Sequence, residues 1–195
     1  NIALNPANPS QLVIGWRQFD NVMSSFRQAG MAYSNDGGLT WTNPGVVLEQ
    51  GIFRSDPVLD YDTTGTIYYN SLSHDALGNY ICKVFRSNTG GAAWDLGTDA
   101  AGGDKQWMTI DRTAGVGSGH IYSAWSPFYT SCWPDNFTRS TDGGSTYNPC
   151  SNAEGGAYWG TMAVGMNGEL YICGADSLTD SLIVSKSLDA IHATF

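Results

Sequence analysis

Apolar and polar residues alternate along most of this chain in short runs, the pattern of β-strands that bury one face. Gly, Pro, Asn and Asp cluster between the runs and mark tight turns. In the first part of the chain the pattern predicts four strands, at 1–5, 11–19, 28–34 and 40–48. The same order of three strands, a turn and a fourth strand recurs along the rest of the chain. The sequence therefore predicts an all-β chain of four-stranded antiparallel repeats.

Four such repeats divide the sequence at about 1–50, 51–100, 101–150 and 151–195. In the second repeat, strands are predicted at 57–62, 66–72, 80–87 and 94–96. In the third, they are predicted at 106–111, 120–125 and 136–140, with an outer strand near Thr146. In the fourth, they are predicted at 160–166, 169–174 and 181–187.

One turn motif appears at the same place in successive repeats. The stretches SNDGGLTW (34–41), SNTGGAAW (87–94) and STDGGSTY (140–147) begin 53 residues apart, and a poorer copy begins at Ser187. An Asp side chain can accept hydrogen bonds from backbone amides two residues on, and the glycines can take positive φ. Serine and threonine hydroxyls can close the remaining bonds. The positions that define the two complete copies are Ser34, Asp36, Gly38, Trp41, Ser140, Asp142, Gly144 and Tyr147.

The pattern S-x-D-x-G-x-T-W resembles the Asp box of the sialidase-like, BNR-repeat β-propellers. The resemblance implies a β-propeller of four-stranded antiparallel blades with Asp-box turns, and about four blades lie in 1–195 as a single propeller domain or fragment. It implies that the boxes are structural, on the outer rim. Because such rings usually have six or seven blades, we expect additional blades outside this chain. A four-bladed ring and a ring closed by self-assembly of several chains are the alternatives.

Composition and charge indicate which classes of partner this chain is not expected to bind. The net charge of −9 leaves no basic stripe for phosphates, so we expect no nucleic acid partner. No apolar run is long enough to cross a bilayer, which predicts no membrane span. The 24 Gly, 10 Tyr and 7 Trp fit many short strands joined by tight turns. A soluble, secreted protein is the interpretation that follows.

The cysteines and one sequon add expectations about processing. Cys132 and Cys150 flank the third turn motif, and a disulfide between them would indicate an oxidising, extracellular compartment. Cys82 and Cys173 lie in apolar strand patterns and are expected to be buried free thiols. Asn136 begins an N-x-T sequon in a predicted loop, so glycosylation is expected there in a eukaryotic source.

Three stretches are expected at the mouth of a propeller channel, namely 53–57, 103–107 and 157–160. They carry carboxylates, cations and aromatic plates, the side chains that bind sugar hydroxyls and sugar ring faces. The alternative is that the carboxylates bond to backbone amides of neighbouring blades and the aromatics fill the blade interfaces. The candidate glycan-binding residues are Asp56, Asp104, Trp107 and Trp159.

The stretch 53–59 also resembles the F/Y-R-I-P segment of true sialidases. The resemblance implies that Arg54 grips a substrate carboxylate and that Asp75 is the acid/base catalyst. The family also needs further arginines and a Tyr/Glu nucleophile pair, for which Tyr122, Tyr129 and Tyr158 are candidates by residue type alone.

No cofactor motif and no His/Cys cluster with metal-ligand spacing is present. Structural calcium at the acidic turn 60–62 is the one metal hypothesis. The sequence favours a secreted sialidase-like β-propeller that recognises carbohydrate or glycoprotein, and that would be an exo-glycosidase if it is an enzyme. A non-catalytic structural or interaction propeller, assembled into a larger extracellular structure, is the alternative.

Overall fold

A computed structural model describes residues 1–153, 155, 157–176 and 179–188, apart from the side chain of Tyr158. The described residues form short β-strands joined by turns and loops, and no helix among them is long and apolar enough to cross a membrane. The strands are β1 (Ile2–Leu4), β2 (Leu12–Gln18), β3 (Gln28–Ser34), β4 (Thr42–Val46), β5 (Ser55–Tyr61), β6 (Ile67–His74), β7 (Tyr80–Ser87), β8 (Thr98–Asp99), β9 (Trp107–Ile110), β10 (Ile121–Ala124), β11 (Phe137–Ser140), β12 (Tyr158–Val164), β13 (Leu170–Ala175) and β14 (Leu182–Ser187).

The strands form four sheets in which neighbours in sequence are neighbours in space. Two sheets have four strands, in the orders β1-β2-β3-β4 and β5-β6-β7-β8. The others have three strands, in the orders β9-β10-β11 and β12-β13-β14. The strand pairs in these sheets are antiparallel. The prediction of an all-β chain of antiparallel sheets is confirmed.

Two predicted outer strands differ from the structure. The outer strand of the second sheet is Thr98–Asp99, not 94–96, because the Trp94 indole turns inward and contacts Met31 Sδ at 3.3 Å. Near Thr146 no strand forms, and the third sheet has three strands. Pro149 lies on the segment that would have to pair there, and proline has no N–H to give to a ladder.

The chain divides into two compact units. The first consists of Asn1–Ser73 and Lys83–Thr98, and the second of His74–Cys82 and Asp99–Phe195. Each unit buries its own apolar cluster, and full burial of one such side chain contributes about 1.5–3 kcal/mol. In the first unit the largest members are Val13, Met31, Leu59, Ile67, Tyr69 and Phe85. In the second they are Tyr122, Phe137, Met162, Leu170 and Ile172.

The turn at 34–41 is closed by its own side chains. Ser34 Oγ accepts hydrogen bonds from the amides of Asp36 and Gly38 at 3.3 and 2.9 Å. The Asp36 carboxylate accepts from the amide and the hydroxyl of Thr40 at 2.9 and 2.5 Å. The sequence predicts that the aspartate accepts from the amide two residues on. In the structure the serine hydroxyl accepts from the amide two residues after it, and the aspartate accepts from the amide four residues after it. Gly37 and Gly38 have φ of 75° and 88°, as the sequence predicts.

The two other copies repeat this arrangement. Asp142 Oδ1 accepts from the Thr146 amide at 2.9 Å, and Ser140 Oγ accepts from the Gly144 amide at 2.8 Å. In the degraded copy the Thr89 hydroxyl takes the place of the carboxylate and accepts from the Ala93 amide at 2.8 Å. The turn therefore tolerates loss of the charge when a hydroxyl remains at the same position.

The cysteines agree with the sequence at three of four positions. Cys132 and Cys150 form a disulfide, as predicted. Cys82 is a buried free thiol. Cys173 is free but only half-buried, so its predicted full burial is wrong. Cys173 lies in β13, whose residues alternate between buried and half-buried positions, and Cys173 occupies a half-buried one.

We predict that the aspartates of the turns give the fold an acid-sensitive stability. Hydrogen bonds from Thr40 lower the pKa of Asp36 from 3.8 to about 2. Burial acts to raise the pKa of Asp142, yet hydrogen bonds from Thr146 bring it down to about 2. A carboxylate with a lowered folded pKa stabilises the fold above its ordinary pKa, and this contribution is lost as the pH falls from about 4 towards 2.

Urea unfolding followed across this pH range measures the effect. The unfolding midpoint should fall steeply between about pH 4 and 2, and the fall should be smaller in Asp36→Asn. Asp180→Asn, at an exposed position, is the matched control and should behave as the parent. Identical pH profiles for the parent and Asp36→Asn would contradict the prediction.

Candidate functional site

Three sheets share one irregularity at the start of their first strand. Asp56, Lys105 and Trp159 have φ of 45°, 58° and 50°, which puts three residues that are not glycine in the left-handed region. Asp56 and Trp159 lie near the beginning of β5 and β12, and Lys105 lies two residues before the first residue of β9. These three are called the bulge residues below.

The strand registers show what causes the unusual backbone. In the second sheet Ser55 pairs with Leu72 and Val58 with Asn70, so Asp56 and its neighbour Pro57 face one residue of β6. This is the two-against-one arrangement of a β-bulge, which twists the strand and re-aims its side chains.

The same count holds in the fourth sheet. Tyr158 pairs with Ala175 and Thr161 with Cys173, so Trp159 and Gly160 face one residue of β13. Gly160 is needed because a Cβ at this position would lie 1.9 Å from the Cys173 carbonyl oxygen. The glycine lets β12 and β13 approach while Trp159 is turned outward.

In the third sheet the bulge lies just before β9. The Asp104 carbonyl accepts a hydrogen bond from the Ser126 amide at 2.9 Å, and Trp107 pairs with Ala124. Lys105 and the residue after it therefore face one residue, Trp125, which directly follows the partner strand β10. A left-handed residue that is not glycine costs of order 1–3 kcal/mol and is enriched at functional sites. Its repetition at one place in three sheets marks that place as a candidate site.

In the first unit the bulge residue is ion-paired. Asp56 Oδ1 accepts hydrogen bonds from Arg17 Nη2 and from Ser55 Oγ. Both of these partners are side chains. The arginine lies 39 residues away in sequence, and no local motif around Arg17 indicates this pairing.

Arg17 also lines an open groove of about 520 Å³, within the roughly 300–1,000 Å³ of small-ligand sites. Trp16 Nε1 donates to Gln18 Oε1 at 2.8 Å, which fixes the indole at the groove. Gly30 makes room for this ring, because a Cβ there would lie 2.5 Å from the indole nitrogen. The groove is lined by Trp16, Arg17, Gln18, Phe19, Asn21, Val22 and Ser24.

Arg54 is placed deeper than a ligand-gripping role requires. Its residue is 8% exposed, and its guanidinium carbon lies 4.6 Å from the centre of the Phe85 ring. Its backbone amide donates to the Arg27 carbonyl at 3.0 Å. These contacts give the side chain a packing role inside the first unit.

Asp75 forms the turn between β6 and β7. Its carboxylate accepts from the amides of Leu77 and Asn79 at 2.8 and 2.9 Å and from the Asn79 side chain at 3.0 Å. Hydrogen bonds from Asn79 lower the pKa of Asp75. A catalytic acid needs a raised pKa to hold its proton near neutral pH, so these contacts favour a turn-forming role over the predicted catalytic one.

In the second unit the site is an open surface. Lys105 Nζ lies 3.9 Å from Asp104 Oδ1. Trp107 is half-buried against the apolar cluster of this unit. Trp159 is 62% exposed and offers a ring face to solvent. The pocket beside Lys105 and Trp107 has room for about one water molecule, so a sugar would bind on the surface.

The tyrosines and histidines differ in accessibility. Tyr122 is 1% exposed and stacks on Phe137, which excludes it as a nucleophile, whereas Tyr129 is 58% exposed. Burial lowers the pKa of His120, and His74 stacks on Tyr80. The side chain of Tyr158 and His192 lie outside the described residues.

Asn136 and the acidic turn at 60–62, for which the sequence predicts glycosylation and calcium binding, make structural hydrogen bonds instead. Asn136 is 1% exposed, and its Oδ1 accepts from the Ala153 amide at 2.8 Å, so the predicted glycosylation at Asn136 is corrected to a buried structural asparagine. In the acidic turn, Asp62 Oδ1 accepts from the amides of Thr64 and Thr66, each at 2.9 Å. Within the described ranges no group of three His, Cys, Asp or Glu side chains is arranged to hold a metal ion.

No protein-family model and no curated protein sequence matches the chain. Solved structures do match. A leech intramolecular trans-sialidase is 12% identical with a TM-score of 0.63, and the match covers 97% of this chain and 48% of that one. A Penicillium chrysogenum α-L-arabinanase in complex with arabinobiose is 16% identical with a TM-score of 0.62, covering 92% and 55%.

A Dyadobacter fermentans protein of unknown function is 18% identical with a TM-score of 0.61, and the match covers 97% of this chain and 65% of that one. This chain thus spans between about half and two thirds of the length of these proteins. At these identities the matches show the fold alone. The chain has a β-propeller-like, sialidase-like fold of the kind found in glycosidases.

Proposed function

We propose that this protein is a secreted carbohydrate-binding β-propeller whose four sheets are blades with Asp-box turns. The repeated bulge is the observation that carries the proposal, because it turns Asp56, Lys105 and Trp159 away from regular strand positions at a cost in backbone strain. Fold likeness to sialidases and an arabinanase supports the ligand class. The disulfide between Cys132 and Cys150 supports an oxidising, extracellular location.

The side chains at the bulges suit a sugar. Trp159 and Trp107 supply aromatic faces against which the apolar face of a sugar ring can stack. The pairs Asp56–Arg17 and Asp104–Lys105 supply charged acceptors and donors for sugar hydroxyls. In the first unit the groove at Arg17 and Trp16 adds a concave surface of ligand size.

Binding is supported better than hydrolysis. Glycoside hydrolysis generally uses two carboxyl groups, one of them with a raised pKa. In the structure Asp56 is ion-paired and the pKa of Asp75 is lowered. Exo-glycosidase activity is therefore the secondary form of the proposal and rests on the likeness of fold.

A structural or interaction propeller is the competing proposal. Leu182 and Val184 on β14 are 84% and 64% exposed, and an apolar sheet face of this kind suits packing of a further sheet. That sheet would belong to an additional blade or to another copy. Under this proposal the bulge residues would have no glycan to bind.

A glycan array probed with the parent protein and with Asp104→Ala and Trp107→Ala separates the two. We expect the parent to bind a defined set of glycans and each variant to lose about tenfold or more in affinity, which corresponds to ~1.4 kcal/mol. Val116→Ala, exposed in the same unit, is the control. Circular dichroism verifies that each variant is folded. No binding by the parent, or unchanged binding by both folded variants, contradicts the proposal.

Two substitutions of Trp159 distinguish the contribution of its ring to binding from the effect of its strained backbone on stability. Trp159→Gly removes the ring and relieves the left-handed strain, so it should keep or raise the free energy of unfolding by about 1 kcal/mol while glycan binding falls. Trp159→Ala removes the ring but keeps the strain, so binding should fall without the gain in stability. Urea unfolding and the same array measure both effects. A marked loss of stability in Trp159→Gly with full glycan binding would show that the ring serves the fold instead.

A further inference from the structure

The loop between β10 and β11 carries exposed aromatic side chains that the site described above does not use. Phe128, Tyr129 and Trp133 are 55%, 58% and 73% exposed. Single apolar residues on a surface are common, whereas three exposed aromatic residues within the twelve residues between two strands are a concentration of apolar surface, called the aromatic patch below. The loop belongs to the second unit, as do Asp104, Lys105 and Trp107.

The ends of this loop are fixed. Trp125 Nε1 donates to the Asp135 carbonyl at 3.2 Å, which closes the base of the loop. The Trp125 amide donates to the Asn136 carbonyl at 3.0 Å, and the disulfide of Cys132 and Cys150 ties the far half of the loop to the segment after the third turn motif.

The middle of the loop is held as well. Thr130 Oγ1 donates to the Gly102 carbonyl at 2.7 Å and accepts from the Cys132 amide at 3.0 Å. The Ser131 amide donates to the Tyr80 carbonyl at 3.1 Å. Aromatic side chains on a loop that is already ordered bind a ligand without the entropy cost of ordering the loop.

The aromatic patch adjoins the bulge of the third sheet. The Asp104 amide donates to the Tyr129 carbonyl at 2.9 Å, and Gly103 forms a bridge with Thr130. A Cβ on Gly103 would lie 2.6 Å from the Tyr129 carbonyl oxygen, so glycine at this position allows the close approach. A ligand at Asp104 and Lys105 would therefore have the aromatic loop beside it.

The chemistry of the loop selects a neutral ligand. Residues 126–135 contain no Lys or Arg and a single Asp, so they offer no cationic side chain to pair with an anionic group. They combine aromatic rings with serine and threonine hydroxyls, a combination that suits the apolar face and the hydroxyls of a neutral sugar. Stacking on exposed rings would extend binding beyond the first sugar.

We infer that this loop is a secondary subsite for a neutral sugar residue, and that the ligand is an oligosaccharide rather than a single sugar. The inference rests on the proposed carbohydrate-binding function and adds the size of the ligand to it. The sugar at Asp104 and Lys105 contributes the primary contacts, and the next residue of the chain stacks on the loop.

Calorimetric titration with two matched pairs of probes tests the inference. The pairs are arabinose with arabinobiose, and sialic acid with 3′-sialyllactose. In at least one pair the parent protein should bind the longer sugar about tenfold more tightly than the single sugar. Trp133→Ala and Tyr129→Ala should each reduce that gain severalfold and leave the affinity for the single sugar unchanged. Leu77→Ala, exposed in the same unit, should behave as the parent.

The outcomes separate this inference from the proposed function. If the parent protein binds no glycan on the array, the proposed function and the inferred subsite are both overturned. Binding on the array with no gain from the longer probe in either pair overturns the inference alone. A full gain retained in both loop variants also overturns it. Because Trp133 and Tyr129 are mostly exposed, both variants should keep the parent's denaturation midpoint, and if one does not, the other decides the test.

Discussion

The structure depends on the packing of antiparallel sheets that are apolar on the faces they bury. A sheet of three or four strands leaves an apolar face exposed until a neighbouring sheet covers it. In the first unit Val13 and Met31 of one sheet share a buried cluster with Tyr69 and Phe85 of the next. The self-bonded turn at Ser34 and its copies hold the strands in register for this packing.

The bulges change the direction of side chains at the starts of three strands. A strand in perfect register alternates its side chains between the two faces of the sheet, so the direction of each side chain is set by its position in the strand. One extra residue at Asp56, at Lys105 and at Trp159 breaks this alternation locally. The strain that the bulges introduce lies at the strand starts, where side chains of three different chemistries are directed towards solvent or towards an ion partner.

Much of the fold was predictable because its signals are local. The period of the turn motif gave the repeats, and alternation gave most strands to within a few residues. The site was less predictable. A bulge depends on counting residues against a partner strand, and the pairing of Arg17 with Asp56 joins residues 39 apart. The burial of Asn136 depends on tertiary packing, which a sequon does not predict. The hydrogen bonds of Asp75 depend on the conformation of its turn, which a family resemblance does not predict.

We propose that the bulge residues of each unit bind glycan, Asp56 in the first unit and Lys105 and Trp159 in the second. Amide chemical shifts of the isotope-labelled protein, followed during titration with arabinobiose and with 3′-sialyllactose, test it most directly. We predict shift changes that are largest at Asp56, Lys105 and Trp159 and their neighbours and small at the turns around Asp36 and Asp142. Changes confined to those turns, or none at saturating concentrations of either sugar, would contradict it.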